Sequence, residues 1–229
     1  MAVEEWAKAK GRTIAAAAVN VMIVLFTAYG MSLFFTVGGS GNMAVMDVQC
    51  FRYFTVDSNL LAALASLLLL IGQIGSLRTG RAPARWLAAL KHAGTTAVGV
   101  TFFTVFCFLG TLYGYRSMIE GVSLYMHLLT PVLAMAGSCL LEPEPPLSFR
   151  TVFLGLIPTA LYGFVYIPMV VFRKQWQDFY GFNMGGRWIL ICVLMAAATF
   201  LISLGLWVLR RAIARSQGKT EETGSAGDR

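Results

Sequence analysis

Long apolar stretches alternate with short polar connections along this chain. Six of the stretches are long enough for membrane-spanning helices, because about 20 apolar residues cross a hydrocarbon core ~30 Å thick. The expected helices cover residues 13–37, 51–77, 93–115, 122–141, 150–172 and 187–209. The pattern predicts an all-α, polytopic membrane protein with a single six-helix transmembrane domain over residues 1–209. The basic and polar segment 210–229 is expected to be a disordered cytoplasmic tail.

Composition and charge agree with this interpretation. The 229 residues are 57% hydrophobic and only 13% charged, which is typical of a membrane protein. Of the 18 Lys and Arg residues, 13 fall on the side of the membrane that carries both termini, so the positive-inside rule places both termini in the cytoplasm. Membrane topology thereby explains the net charge of +7, and no nucleic-acid partner is expected. The four cysteines lack metal-ligand spacing, so no metal site is expected either.

One face of the second predicted helix carries polar side chains that lipid contact does not require. Thr55, Ser58 and Asn59 fall on this face at helical spacing. His127 lies about five residues into the fourth helix, at a depth of ~7 Å, and Thr55 lies at a similar outer level. Polar and ionisable groups are costly in lipid and usually mark function, so Thr55 and His127 predict a shared site. The alternative to a functional site is that Thr55 and His127 each have only a structural role in helix packing.

Other polar side chains at this level are candidates for substrate binding or for stabilising an oxyanion. They are Ser58, Asn59, Thr130, Tyr162, Tyr166 and Asn183. Asp57 points about 160° away from Thr55 around the helix and is a poor direct partner for its hydroxyl. Membrane-interface anchoring accounts for Trp176 and Tyr180. His92, at the cytoplasmic end of its helix, is expected to reach water and to have no function.

At these residues the chain resembles a known family, the androgen-induced protein and androgen-dependent TFPI-regulating protein group with its bacterial six-helix relatives. The similarity covers much of residues 51–186. It lies in an ordered set of short segments, which are Phe51–Thr55, Ser58–Leu61, His127 with Pro131, Pro158, Leu161–Tyr162, Tyr166, Trp176, Tyr180–Phe182 and Gly185–Gly186.

The resemblance implies a transmembrane threonine hydrolase of fatty acid esters of hydroxy fatty acids or similar amphiphilic esters, with Thr55 as nucleophile and His127 as base. It also implies a bacterial cytoplasmic membrane protein that needs no cofactor and whose partners are the bilayer and a lipid-like ester. A threonine hydroxyl becomes an effective nucleophile when an adjacent base removes its proton. Two other functions fit the sequence: a non-catalytic lipid or small-solute binder or transporter, and a lipid acyltransferase in which an alcohol replaces water.

Overall fold

The computed structural model describes the backbone of residues 2–39, 43, 46–142 and 146–226, and the side chains of the same residues except 2–8 and 218–226. Six helices are long and apolar enough to cross a membrane, and the described part of the chain contains no strand. The predicted all-α, six-helix, multi-pass architecture is confirmed. The helices are α1 (Ala2–Thr36), α2 (Phe54–Thr79), α3 (Arg85–Tyr113), α4 (Leu124–Leu141), α5 (Arg150–Phe172) and α6 (Trp188–Ala226).

The start of α1 and the end of α6 lie at the same end of the bundle. Arg12, near the start of α1, hydrogen-bonds to Gln217, near the end of α6. We call this the terminal end, and we call the opposite end the loop end. Because successive helices alternate in direction, α2 and α4 both begin at the loop end.

Helix α3 is the centre of the bundle. Every residue from Lys91 to Thr101 is buried, and small residues there allow neighbouring helices to approach closely. A Cβ atom at Gly94 would lie 3.0 Å from the Cα atom of Ala62 on α2. This contact holds α2 against α3 along the face that carries the polar side chains of α2.

Three of the helices contain short π-helical turns. These turns are Val105–Leu109 in α3, Leu124–Leu129 and Gly137–Leu141 in α4, and Pro168–Phe172 in α5. A π-helical turn changes the direction of the side chains that follow it and often occurs at a functional site. The turn that begins α4 carries His127.

Helix α3 begins at Arg85, earlier than predicted, and this brings two titratable residues into the bundle. Lys91 and His92 are each only 1% exposed, so the prediction that His92 reaches water is wrong. The Lys91 ammonium donates to Asn20 Oδ1 and to Ser66 Oγ, both at 2.6 Å. These acceptors on α1 and α2 replace water around the charge, which otherwise would be costly to bury.

An acidic residue completes this buried network. Asn20 donates through its amide nitrogen to Glu142 Oε1 at 2.6 Å and to Gln73 Oε1 at 3.2 Å. Glu142 is 5% exposed. Asn20 therefore bridges Lys91 and Glu142, and the network ties α1, α2, α3 and the end of α4 together near the terminal end.

Helix α6 continues through the segment in which the sequence predicts a disordered tail, and it ends at Ala226. Arg210 is 3% exposed, and its guanidinium donates to Ser138 Oγ at 3.5 Å. Extending an existing helix adds one backbone hydrogen bond for each residue that is fixed, so polar residues of good helix propensity can continue α6. Residues 227–229 of the predicted tail lie outside the described residues.

Candidate active site

Thr55 lies in the first turn of α2, at the loop end of the bundle. Tyr53 precedes the helix in an extended conformation, and the Thr55 side chain is only 5% exposed. The first backbone N–H groups of a helix lack acceptors within that helix and carry partial positive charge. A nucleophile at this position is therefore close to groups that stabilise negative charge.

His127 extends from the π-helical first turn of α4 toward Thr55. Its Nε2 atom lies 3.4 Å from Thr55 Oγ1, and the residue is 3% exposed. Catalytic hydrogen bonds are often this long before a substrate binds. The fold thus brings together the two residues that the sequence pairs as nucleophile and base.

A backbone carbonyl sets the orientation and the tautomer of this imidazole. The Met118 oxygen lies 2.8 Å from His127 Nδ1, and a carbonyl can only accept a hydrogen bond, so Nδ1 carries the proton. In the neutral ring Nε2 is then unprotonated and can accept a proton from Thr55. Met118 ends the short helix Tyr115–Met118 between α3 and α4. Its carbonyl fixes the ring in the way that a carboxylate fixes the histidine of a serine-hydrolase triad.

Asn59 and Ser58 hold the backbone around Thr55. The amide nitrogen of Asn59 donates to the carbonyls of Thr55 at 2.7 Å and of Met126 at 2.9 Å. Both of its amide hydrogens are used, so Asn59 joins α2 to α4 beside the histidine and does not provide the oxyanion donor that the sequence suggested. Ser58 donates to the Thr55 carbonyl at 3.0 Å and lies 2.8 Å from the Thr101 hydroxyl on α3.

The remaining predicted binding residues differ in whether they line the cavity beside Thr55. Tyr162 lines the cavity beside Thr55, and its hydroxyl donates to the Arg52 carbonyl at 2.6 Å. Thr130 is buried, and its hydroxyl has no hydrogen-bond partner in the described chain. Thr130, Tyr166 and Asn183 are not among the described residues that line this cavity.

Asp178 organises the segment between α5 and α6. Its carboxylate accepts the N–H groups of Phe182 at 2.7 Å and Asn183 at 2.9 Å, and the Tyr166 hydroxyl at 3.2 Å. Tyr166 accepts the N–H group of Tyr180 at 3.4 Å. Tyr166 and Asn183 therefore support the position of Tyr180, and neither contacts the cavity.

Tyr180 is the site residue that sequence reasoning missed. Its hydroxyl accepts the Phe54 N–H group at 3.0 Å and lies within hydrogen-bonding reach of the Thr55 hydroxyl. Burial raises the pKa of Tyr180 to about 12, so the phenol keeps its proton at neutral pH and remains a donor. Interface anchoring is an incomplete explanation for this residue. The one signal for it in the sequence is its place in Tyr180–Phe182, one of the segments on which the expected family resemblance rests.

Asp57 does not take part in this arrangement. It lines a separate cavity of ≈ 320 Å³ together with Trp176 and Pro158, and Thr55 is not among the described residues around that cavity. This agrees with the predicted direction of the Asp57 side chain, away from Thr55.

A large apolar cavity begins beside Thr55. Its volume is ≈ 1160 Å³, above the usual ~300–1,000 Å³ of small-molecule sites. Side chains of α3, α4, α5 and α6 form most of its wall, and Thr55 and Tyr180 lie at its loop end. Some wall residues, including Phe103, Leu140 and Leu194, are exposed at the surface of the bundle. The cavity is therefore open sideways, toward the lipid that would surround the helices.

A second histidine–hydroxyl pair, between α3 and α6, has a different geometry. His92 Nε2 lies 3.0 Å from Ser203 Oγ. Ser203 already donates its single proton to the Val152 carbonyl at 2.9 Å, so His92 Nε2 is the donor in this pair. The described residues that line the large cavity do not include His92, Val152 or Ser203. The pair therefore joins helices and has no free base for a nucleophile.

Comparisons of the chain with family models, with curated proteins and with solved structures find no match. The function is therefore inferred from the side chains and their geometry.

Proposed function

We propose that this protein is a membrane-embedded lipid-ester hydrolase in which Thr55 is the nucleophile and His127 is the general base. The observation that carries the proposal is the alignment of three groups at one end of an apolar cavity. Thr55 Oγ1 lies 3.4 Å from His127 Nε2, and His127 Nδ1 lies 2.8 Å from the Met118 carbonyl. A hydroxyl that faces the unprotonated nitrogen of an oriented imidazole is a nucleophile–base pair.

In the acylation step, His127 Nε2 takes the proton of Thr55 Oγ1 while that oxygen forms a bond to the ester carbonyl carbon. The electron pair of the carbonyl moves to its oxygen. The Tyr180 hydroxyl and the positive end of α2 stabilise this oxyanion. When the carbonyl re-forms, the bond to the alcohol oxygen breaks, and that oxygen receives the proton from His127. The products of this step are a free alcohol and an acyl ester of Thr55.

Water then releases the acyl group by the same two steps, with water as the attacking group and Thr55 Oγ1 as the leaving group. His127 takes a proton from the water molecule, whose oxygen attacks the acyl carbon. The bond to Thr55 Oγ1 then breaks, His127 returns the proton to that oxygen, and a carboxylic acid is released. The net reaction consumes one ester and one water.

A long-chain amphiphilic ester fits this site, and the family resemblance favours fatty acid esters of hydroxy fatty acids. Arg187 lines the cavity at the loop end, where its guanidinium can pair with the carboxylate of such a substrate. The distribution of Lys and Arg favours a cytoplasmic location for the terminal end. The loop end, with Thr55, then lies in the outer leaflet, and the ester enters sideways from the lipid.

Ester turnover by the purified full-length protein in detergent tests this function. The parent should hydrolyse p-nitrophenyl palmitate, and Thr55→Ala and His127→Ala should each abolish the activity while the thermal unfolding temperature stays close to that of the parent. Thr55→Ser should keep part of the activity because the hydroxyl remains. His92→Gln, which also replaces a buried histidine, is the matched control and should retain the activity. Parent-level turnover by folded Thr55→Ala would refute the assignment.

A further inference from the structure

The large cavity extends unequally on the two sides of Thr55. Toward the loop end it is short and reaches Arg187, whereas toward the terminal end it continues along α6 to Leu209. Phe54, the neighbour of Thr55, and Met195 on α6 belong to one apolar cluster, and we use Met195 as the level of the nucleophile. Leu209 lies 14 positions beyond Met195, roughly 21 Å at ~1.5 Å per residue. We call this part of the cavity the long arm.

The dimensions of the long arm match one acyl chain. Half of a bilayer core, which holds one layer of lipid chains, is roughly 15 Å thick, so the long arm is deep enough for a whole chain. Its wall ends beside Leu140 on α4 and Leu209 on α6. The next residue of α6 toward the terminal end, Arg210, is buried and donates to Ser138 on α4, so the apolar space ends at buried polar groups.

The position of Arg187 indicates which half of an ester would occupy the long arm. Arg187 lines the cavity at the loop end, where its guanidinium can pair with the carboxylate that a fatty acid ester of a hydroxy fatty acid carries on its alcohol half. The alcohol half then lies on the loop-end side of Thr55, and the acyl chain is the half that remains for the long arm.

We propose that the long arm is the acyl-chain binding site and that Gly205 determines the length of chain it accepts; this inference rests on the proposed hydrolase function. Gly205 lines the long arm, and no heavy atom of the described chain lies within 4 Å of the position of an added Cβ atom. Gly205 is ten residues beyond Met195, roughly 15 Å along the helix. A side chain at this position would enter the space needed by the distal part of a long acyl chain, and it would not touch Thr55.

The first test compares Gly205→Leu with Gly75→Leu. Gly75, on α2, also has open space at an added Cβ atom but does not line the cavity, so it is the matched control. For p-nitrophenyl esters of palmitate, laurate and butyrate, Gly205→Leu should reduce the palmitate-to-butyrate ratio of kcat/KM at least about tenfold, the effect of excluding two methylenes from the apolar site. The ratio should be unchanged for Gly75→Leu. A second series, in which the acyl group is butyrate and the alcohol is lengthened, should be unaffected by Gly205→Leu.

The alcohol series separates this inference from the proposed function. If the parent is active and Gly205→Leu changes the preference for the alcohol, or leaves both preferences unchanged, the long arm is not the acyl site. In that case the hydrolase assignment remains.

A binding measurement tests the long arm without turnover. A palmitic acid with a photoreactive diazirine near its terminal methyl group is cross-linked to the full-length protein, and the labelled peptides are identified by mass spectrometry. We expect labels on α6 near Leu206 and on α4 near Cys139, and we expect Gly205→Leu to reduce them. Such labelling in a protein without esterase activity would support the chain-binding site and contradict the hydrolase. Labels spread over the outer surface of all six helices would overturn the inference.

Discussion

Replacing Tyr180 by phenylalanine removes one hydroxyl from the proposed site and keeps the aromatic ring. This hydroxyl accepts the Phe54 N–H group at 3.0 Å and lies within reach of the Thr55 hydroxyl. Its O–H group is a donor beside Thr55, where the oxyanion would form. The substitution therefore separates stabilisation of the transition state from packing of the segment between α5 and α6.

Tyr180→Phe should change the folding stability and the catalytic rate by different amounts. Loss of one hydrogen bond to a backbone N–H group costs about 1 kcal/mol of folding stability. Loss of one oxyanion donor typically lowers kcat by about 10²–10³, equivalent to roughly 3–4 kcal/mol in the transition state. The rate should therefore fall much more than the stability, with little change in KM, because the ground-state ester makes a weaker contact with the phenol.

Initial rates with p-nitrophenyl palmitate and a thermal unfolding curve for the same preparation measure both quantities. Tyr113→Phe, in which the hydroxyl is removed from an exposed tyrosine at the end of α3, controls for the chemical change and should match the parent. A folded Tyr180→Phe protein with kcat within about twofold of the parent would show that this hydroxyl does not stabilise the oxyanion.

Three further outcomes are expected. Asn59→Leu removes one hydrogen bond within α2, to Thr55, and one that joins α2 to α4, to Met126. It should lower stability by about 1 kcal/mol in total, since hydrogen bonds between membrane helices average ~0.6 kcal/mol each, and it should slow turnover without changing KM. Unaltered turnover in a folded protein would contradict its positioning role. Lys91→Met should lower the free energy of unfolding by roughly 1–3 kcal/mol because Asn20 and Ser66 lose a buried hydrogen-bond donor. Adding Glu142→Gln to this variant should cost less than it does in the parent, because Glu142 interacts with Lys91 as well as with Arg210; fully additive losses would contradict the coupling. Burial raises the pKa of the Tyr180 phenol from 10.0 to about 12. The contribution of Tyr180 to stability is therefore complete below pH 10 and is lost as the pH rises toward 12. Activity that depends on the phenol proton should persist at pH 11; a decline in activity centred at pH 10 would contradict this.

The all-α fold and the pairing of Thr55 with His127 could be predicted because both depend on local pattern and on depth. Twenty apolar residues fix a helix in a bilayer almost independently of its neighbours. A polar residue a few positions from a helix start must then lie near one surface. Two such residues on helices that begin at the same end of the bundle therefore occupy one level, although only the packing of α2 against α4 through Asn59 brings them within 3.4 Å.

The residues that could not be predicted depend on contacts between distant parts of the chain. Lys91 is buried because acceptors on α1 and α2 surround its ammonium, and a membrane-boundary rule that counts local charge places it in water. Tyr180 reaches Phe54 across 126 residues, and its sequence neighbours resemble an ordinary interfacial aromatic segment. Asn59 had a suitable donor group, but its two hydrogens are used by backbone carbonyls, which only the three-dimensional arrangement reveals.

Covalent labelling of Thr55 tests the central proposal most directly, because only a nucleophile activated by its surroundings attacks a phosphonate. The purified full-length protein is incubated with a long-chain alkyl fluorophosphonate, digested, and analysed by mass spectrometry. We expect a single phosphonylated residue, Thr55, no labelling in Thr55→Ala, and strongly slowed labelling in His127→Ala. Absence of the adduct from active, folded parent protein, or an adduct on another residue such as Ser203, would contradict the assignment of Thr55 and His127 as the catalytic pair.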